Sequence, residues 1–393
     1  MTVPAGSTRK IVLLGMMTKI PVAGAVWGTM HYLVGLERLG YEPYYVEAHA
    51  RTPSMLMTSP DDDGSALAAA FIDRVMRRFG MGDRWAYHAL HDDERVHGMS
   101  ETALRDLYRD AALLINYHGG TVPLDEHVAT NRLVYLETDP VDTQIEVHDG
   151  NRATIDFLAA HCAFYTWGLN YGRPDCRVPM PRPFDFRPMP PVVVCDLWDS
   201  PPAVAGSRFT TVGNWRQPWR DVTFEGEVYR WSKHHEWLKV LDLPARAGPQ
   251  FELALASYQP EDRRLLEEHG WVVSDAAPIS DDLDAYRRFV AGSRGEFTVA
   301  KDQNVRLRSG WFSERAAQYL ATGRPVITQD TGFGSLLPTG RGLFGFSTPE
   351  EAVAAVAAVN ADHEGHCRAA RDLSRELFDY TRALPPMLSD LGV

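Results

Sequence analysis

The sequence lacks the features that mark a membrane or secreted protein. It has only four cysteines, and none of them belongs to a C-x-x-C pair. It contains no run of about 18 uninterrupted apolar residues, the length that a membrane-spanning helix needs. The first ten residues are polar and do not have the pattern of a signal peptide. We therefore expect a cytoplasmic protein with reduced thiols and no transmembrane segment.

Basic charge and several nucleotide-binding and catalytic motifs are also missing. Lys and Arg number 40 against 52 Asp and Glu, so the formal net charge is −12, which argues against a nucleic-acid partner. The loop after the first predicted strand has no G-x-G-x-x-G, and the chain has no G-x-x-x-x-G-K-[ST] and no G-x-S-x-G. These absences disfavour a dinucleotide dehydrogenase, a P-loop kinase and an α/β-hydrolase. The cysteine and histidine spacings indicate no zinc site.

What is present is typical of a globular protein of two or three domains. The chain has 393 residues, of which 45% are hydrophobic and 23% charged. Residues 10–15 predict a buried strand, residues 26–39 a helix that ends at Gly40, and residues 42–47 a second strand. This βαβ pattern indicates a parallel sheet, to which residues 111–116, 133–137 and 163–167 add further strands.

The second half of the chain repeats this alternation. Strands are predicted at residues 209–213, 251–256, 271–274, 296–300, 325–328 and 342–346. Thr348 and Glu351 form a capping box at the start of a helix. Eight prolines between positions 179 and 202 favour an interdomain connection near residues 180–205.

We therefore predict an α/β protein of two Rossmann-like, doubly wound domains that face a central cleft. The predicted domains are residues 1–190 and 191–370, followed by a C-terminal segment, residues 371–393, with a helix near 371–380 that crosses back to the first domain. Ligands of such sheets bind at the carboxyl ends of the strands, so the cleft is the expected site.

The segment from Arg306 to Gly334 contains the most informative pattern. Ser313 is placed to cap a helix that ends at Gly323, and a strand follows. Residues 301–324 contain five cations and two anions, a balance of 5 − 2 = +3. Free N–H groups and the helix dipole favour phosphate at such a helix start. The pattern fits a pyrophosphate site, or else a solvated basic face.

This segment resembles the donor-binding region of GT-B glycosyltransferases. Many of them carry E-G-F-G-x-x-x-x-E-A-x-A-x-G-x-P-V-V. With the two sequences aligned on residues 323–326, Phe312 and Ala321 match the motif. Gly310 and Gln318 stand where the family has its two carboxylates. The resemblance implies a GT-B fold and a site for a nucleotide-diphosphate sugar.

The resemblance also implies a set of donor-binding residues. Arginines and lysines would contact the pyrophosphate, and Gln318 or Glu314 would contact the ribose. Gly24 would let the first helix approach the donor, whereas Lys233 has the alternative of an exposed helix lysine, and Asp330 that of a plain turn. The implied donor-binding residues are Gly24, Asn214, Arg216, Lys233, Lys301, Arg306, Arg308, Ser309, Ser313, Glu314, Gln318, Asp330, Thr331 and Gly332.

Two residues of the first domain are candidates for catalysis. His118 follows a predicted strand in the sequence N-Y-H-G-G, where an imidazole can act as a base or bind the sugar, or can be structural. Asp139 follows another strand in E-T-D-P, where it can accept a proton from an acceptor hydroxyl or shape a turn.

These residues together favour a glycosyltransferase. We expect it to move a sugar from a nucleotide-diphosphate donor to a small-molecule or glycan acceptor, without a metal or another cofactor. The alternatives are a nucleotide-sugar epimerase of the same architecture and a non-catalytic nucleotide-sugar-binding protein. The second alternative rests on the two replaced carboxylates.

Overall fold

The first half of the chain folds around an eight-stranded sheet. The computed structural model describes residues 9–199, 208–248 and 250–393. The order of the strands is β4-β3-β2-β1-β5-β6-β7-β8, and all neighbours are parallel except β3 and β4. The strands are β1 (Lys10–Leu14), β2 (Glu42–Glu47), β3 (Trp85–His88), β4 (Val96–His97), β5 (Leu113–Tyr117), β6 (Leu133–Glu137), β7 (Ala163–Thr166) and β8 (Phe186–Pro188).

Six helices accompany this sheet among the described residues, and α1 is the most deeply buried of them. Two of its glycines allow the close approach of other elements. A Cβ atom at Gly28 would collide with the Glu314 carboxylate, and one at Gly35 would lie 2.8 Å from Cβ of Tyr380. Both neighbours come from the second half of the chain, so α1 joins the two halves. The helices are α1 (Ala23–Arg38), α2 (Gly64–Arg78), α3 (Glu101–Asp110), α4 (Asp125–Val128), α5 (Asp142–His148) and α6 (Arg152–Ala159).

The second half folds around a six-stranded parallel sheet. Its order is β13-β12-β9-β14-β15-β16, while β10 and β11 form a separate antiparallel hairpin. The hairpin packs against the first half, where the Phe224 ring meets the His148 ring at 5.2 Å. The strands are β9 (Phe209–Asn214), β10 (Val222–Phe224), β11 (Glu227–Tyr229), β12 (Phe251–Ala256), β13 (Val272–Asp275), β14 (Gly295–Thr298), β15 (Val326–Gln329) and β16 (Leu343–Phe346).

In the part of the chain that the structure describes, ten further helices surround this sheet and end the chain. The expected capping box is confirmed, because Thr348 accepts from the Glu351 amide and the Glu351 carboxylate accepts from the Thr348 amide. The helices are α7 (His234–Trp237), α8 (Leu243–Ala247), α9 (Pro260–Glu268), α10 (Ala277–Ser280), α11 (Leu283–Gly292), α12 (Asp302–Arg306), α13 (Glu314–Ala321), α14 (Pro349–Ala361), α15 (His363–Leu373) and α16 (Tyr380–Asp390).

The chain returns to the first half by a different helix from the one expected at 371–380. After α15 and a π-helical turn at 374–378, Asp379 is extended, and its side chain accepts from the Thr381 amide and starts α16. Helix α16 contains Pro385 and Pro386 and packs on α1. The two carbonyls that lose a donor to these prolines belong to exposed residues, 381 and 382, so water can bind them.

The predicted α/β architecture of two doubly wound halves is confirmed. The division into domains at 190 and 370 stays a prediction, although every strand of the first sheet lies within residues 10–188 and every strand of the second within 209–346. The proposed linker contains β8 and a 3₁₀ turn at Cys195–Trp198, and its residues 200–205 lie outside the described part. In the described ranges, no helix is long and apolar enough to cross a membrane.

Candidate active site

A cavity of about 550 Å³ lies between the two sheets. The first half lines it with residues that directly follow β1, β5, β6 and β7, such as Met16, His118, Asp139 and Trp167. The second half lines it from the ends of β9, β12 and β14. Both sheets therefore direct the carboxyl ends of their strands at one space, where ligands of such folds bind.

Four cations line this cavity, and all of them come from the second half: Arg220, Lys233, Lys301 and Arg315. Burial lowers the pKa of the Lys233 ammonium well below its usual value, and the nearby charges of Arg315 and Lys301 lower it further. Each lysine also stands over an indole ring, Lys233 at 5.1 Å from the centroid of Trp311 and Lys301 at 3.1 Å from that of Trp231. Like charges this close favour the binding of an anion.

The structure fixes Arg315 in place. Its Nε atom lies 2.6 Å from the buried Glu296 carboxylate, and its terminal nitrogens donate to the Val212 carbonyl at 2.6 Å and to the Thr298 hydroxyl at 3.1 Å. These three contacts hold the guanidinium at the cavity wall. The positive charge of this α13 residue is therefore held in place by contacts to β9 and β14.

His118 faces these cations from the first half of the chain. Its Nδ1 lies 2.5 Å from the Thr138 hydroxyl, and its ring packs 3.6 Å from that of Tyr117. Its φ of 63° lies in the left-handed region, which a non-glycine residue rarely adopts. Burial lowers the pKa of the imidazole to about 4, although the Asp139 charge acts in the opposite direction. His118 is therefore neutral at pH 7 and able to accept a hydrogen bond or a proton.

Asp139 forms an ion pair across the cleft rather than standing free as a base. Its Oδ1 lies 2.5 Å from Nζ of Lys301. Burial acts to raise the pKa of this carboxyl, but the Lys301 ammonium outweighs it and holds the pKa below its usual value. The Lys301 ammonium occupies this oxygen and so competes with an acceptor hydroxyl for it. The geometry thus favours a positioning role for Asp139.

A second ion pair joins the two halves beside the pair of Asp139 with Lys301. Asp142 Oδ2 lies 2.8 Å from Nη2 of Arg220, whose guanidinium stands 4.0 Å from the centroid of the Trp231 ring. Between the two acidic residues, Val141 has a φ of 101°, a strained value for a β-branched residue. Strain of this kind accumulates at functional sites, where the surrounding structure enforces it.

Glu314 is the first residue of α13 and lines the cavity. Its Oε2 is buried and has no hydrogen-bond partner among the described residues. Burial raises the pKa of this carboxyl to about 8, and the Asp139 charge contributes. Glu314 is therefore largely protonated at neutral pH and can donate a hydrogen bond to a ligand.

Three other residues of the predicted donor set also line the cavity: Gly24, Asn214 and Ser313. Gly24 lies in the first turn of α1, and Asn214 accepts a hydrogen bond from the Ser257 hydroxyl at 3.1 Å. Ser313 is the N-cap residue of α13, as the sequence predicts, but its side chain makes no capping bond. Its hydroxyl is thus available to a ligand.

Three residues of that set make contacts within the second half and do not line the cavity. Arg216 makes a bidentate pair with Asp262 at 2.8 and 2.5 Å, and its guanidinium lowers the pKa of that carboxyl to about 2. Arg306 contacts Glu227 at 3.1 Å and stands over the Tyr229 ring of the hairpin. Gln318 is buried and accepts a hydrogen bond from the Tyr286 hydroxyl at 2.9 Å. Arg216 and Arg306 are thus held by partners outside the cavity, whereas Gln318 is held by Tyr286, which itself lines the cavity.

Five more residues of the set lie in a contact between the two halves, outside the cavity lining. Arg308 pairs with Asp175 of the first half at 2.7 Å. The others belong to loops that pack beside it: Ser309 donates to Asn304, Asp330 accepts the amides of residues 332 and 334, Thr331 donates to the Trp311 carbonyl, and Gly332 lies against Asn170. These five residues therefore serve packing between the halves, whereas Lys301 and Arg315 of the basic segment line the cavity.

The same contact explains one of the replaced family carboxylates. Gly310 has a φ of 79°, and a Cβ atom there would collide with the backbone nitrogen of Asn170. The 168–170 segment of the first half is held at this place by the Asn170 amide, which donates to the Ser309 carbonyl at 3.1 Å. A glutamate at position 310 therefore does not fit this packing.

The sequence did not reveal Arg220 and Arg315 as cavity residues, because their partners lie far away along the chain. The sequence did contain one signal for the lysines of the cavity. The chain has only five lysines among its 40 basic residues, and two of the five line the cavity. Lysine is rare in this chain, so its position is more informative than that of arginine.

Comparison with known proteins gives structural similarity only. No protein-family model matches the sequence, and no curated protein matches it either. The fold is similar to that of Anabaena HepE in complex with UDP-glucose, with a TM-score of 0.56 and 11% identity over 98% of this chain and 99% of that one. An alpha-glucosyltransferase bound to UDP and DNA matches with a TM-score of 0.54 and 9% identity, over 99% and 100% of the two chains.

The α,α-trehalose 6-phosphate synthase of Burkholderia multivorans is also similar. Its TM-score is 0.50, with 10% identity over 98% of both chains. These similarities extend over both sheets and the returning C-terminal helix. The chain therefore has the fold of the GT-B glycosyltransferases.

Proposed function

We propose that the protein is a glycosyltransferase that moves a sugar from a nucleotide-diphosphate donor to an acceptor hydroxyl. One observation carries this proposal: four cations of one half and the neutral His118 of the other half face the same cavity. The cations provide a site for a diphosphate, and His118 provides an acceptor for a proton or hydrogen bond. The structural similarity to a complex with UDP-glucose supports the assignment.

In the proposed reaction, the acceptor oxygen forms a bond to the anomeric carbon of the donor sugar. The bond from that carbon to the diphosphate breaks, and the nucleoside diphosphate leaves with the electron pair. The acceptor proton passes to a base, for which His118 is our candidate, or to the leaving diphosphate. Positive charge at Lys233, Lys301 and Arg315 stabilises the charge that develops on the leaving group.

We propose a division of roles among the remaining cavity residues. Glu314 and Ser313 donate hydrogen bonds to the donor, and Asn214 contacts its phosphate or sugar. Asp139 positions Lys301 through their ion pair. Lys233, Lys301 and Arg315 provide positive charge beside the diphosphate, and the proposal includes independence from a metal and from other cofactors. We also propose that the protein acts in the cytoplasm.

The test is calorimetric titration of the purified protein with UDP-, GDP-, ADP- and TDP-sugars. One of them should bind, and Lys233→Met should weaken that binding by about 1.5–3 kcal/mol through loss of a charged hydrogen bond. Lys239→Met is the matched control, because Lys239 is exposed, pairs with Glu236 and does not line the cavity. Equal affinity in both variants and the wild type would refute the donor site.

A further inference from the structure

The two walls of the cavity differ in chemistry. The second half contributes all four cations, whereas the first half contributes no cation among the described lining residues, and Asp139 is its one charged group. Instead, the loop after β1 and the segment after β2 present large apolar side chains to the cavity. These are Met16, Met17, Ile20, Val22 and Met55, which we call the apolar wall.

Two members of the apolar wall are exposed to solvent. Ile20 is 40% exposed and Met55 is 60% exposed. Single exposed apolar residues are ordinary, but here they share one concave surface with three neighbours of the same character. Methionine is also flexible and polarisable, and it adapts to ligands of varied apolar shape. An apolar ligand therefore gains favourable burial against this wall, whereas the wall offers few hydrogen bonds or charges to a sugar chain or a phosphate.

Contacts between the halves limit the size of that ligand. Besides the ion pairs of Asp139 and Asp142, the Trp311 indole donates to the Thr138 carbonyl at 3.0 Å. These contacts join residues 138–142 to the opposite half and so bound the cavity on that side. A cavity of about 550 Å³ is within the range of small-molecule sites, and its donor would occupy part of it.

We propose that the acceptor is a small, uncharged, apolar alcohol or phenol. Its carbon skeleton lies against the apolar wall, and its hydroxyl faces His118. This inference rests on the proposed function, because it assigns the cationic wall to the donor and leaves the apolar wall to the acceptor. It chooses between the two classes of acceptor, small molecule and glycan, that the sequence leaves open.

Direct binding tests the proposal without the need for a known donor. The probe is 2-naphthol, an uncharged fluorescent phenol, and methyl glucoside is the polar comparison. We expect the protein to bind 2-naphthol and the double variant Ile20→Gln/Met55→Gln to bind it about tenfold more weakly, since each side chain loses part of its apolar contact. Both positions are exposed, so the variant should fold.

Leu67→Gln is the matched control, because Leu67 is 37% exposed and lies outside the cavity lining. It should leave the binding of 2-naphthol unchanged. Tighter binding of methyl glucoside than of 2-naphthol would overturn the proposal, and so would equal affinity of the double variant and the wild type for 2-naphthol. Nucleotide-sugar binding, measured on the same samples, reports separately on the proposed function and should not change in any of the three proteins.

Discussion

Lys233 is expected to take up a proton when the nucleotide sugar binds. In the free protein, burial and the charges of Arg315 and Lys301 hold its pKa well below the usual value. A bound diphosphate brings negative charge to the ammonium and so raises that pKa again. The protonated lysine then binds the ligand more tightly than the neutral one, and binding and protonation are linked.

The sign and size of the effect follow from this linkage. Affinity should fall as pH rises between the pKa of Lys233 in the free protein and its pKa in the complex. One linked proton corresponds to at most about a tenfold loss of affinity per pH unit, or about 1.4 kcal/mol. A nucleotide sugar has no terminal phosphate monoester, whose own ionisation near pH 6 would otherwise contribute.

The assay is calorimetry at several pH values from about 6 to about 10, each in two buffers of different ionisation enthalpy, which gives the number of protons taken up. Lys233→Arg is the informative variant, because arginine stays charged and has no proton to gain. We expect uptake by the wild type and by Lys239→Arg, and uptake that is smaller by up to one proton in Lys233→Arg. Equal uptake by Lys233→Arg and the wild type would refute the reasoning.

Three further predictions test other parts of the site. His118→Ala should lower turnover by about 10²- to 10⁴-fold while donor affinity changes little, and wild-type turnover would remove the residue from the mechanism. Gly310→Glu should destabilise the fold by at least about 1–3 kcal/mol in denaturant titrations, because φ is 79° and the new side chain meets Asn170; an unchanged midpoint would contradict this packing. Glu314 has a pKa raised to about 8, so the stability that its protonated form contributes is lost as pH rises. Between about pH 5 and pH 8, the free energy of unfolding of the wild type should therefore fall relative to that of Glu314→Gln by up to about 1.4 kcal/mol per pH unit. Parallel pH curves for the two proteins would contradict a buried, protonated carboxyl.

The architecture was predictable because each sheet is built from local patterns. The strand at 10–14 and the helix that follows it depend on apolar runs and on a glycine stop, and Glu42–Glu47 was predicted with its observed bounds. The short strands were not predicted. Val96–His97 has two residues, and β10 and β11 have three each, too few to show a period in the sequence.

The candidate site was only partly predictable, since it depends on which side chains turn toward the cleft. Lys233, Lys301, Glu314 and His118 do line the cavity, whereas the arginines at 306 and 308 pair with acidic residues elsewhere. A count of charges along a segment contains no information on these distant partners. The cross-cleft pair of Lys301 with Asp139 joins residues 162 positions apart, which no local pattern reveals.

Turnover of a nucleotide sugar tests the central claim most directly. The purified protein is incubated with the nucleotide sugar that it binds and with an apolar alcohol or phenol, and mass spectrometry follows both products. A glycosyltransferase should give equal amounts of free nucleoside diphosphate and of the glycosylated acceptor, and His118→Ala should lose most of both. An isomerised nucleotide sugar would instead indicate an epimerase, and an unchanged donor that binds without turnover would indicate a binding protein; either result would contradict the account.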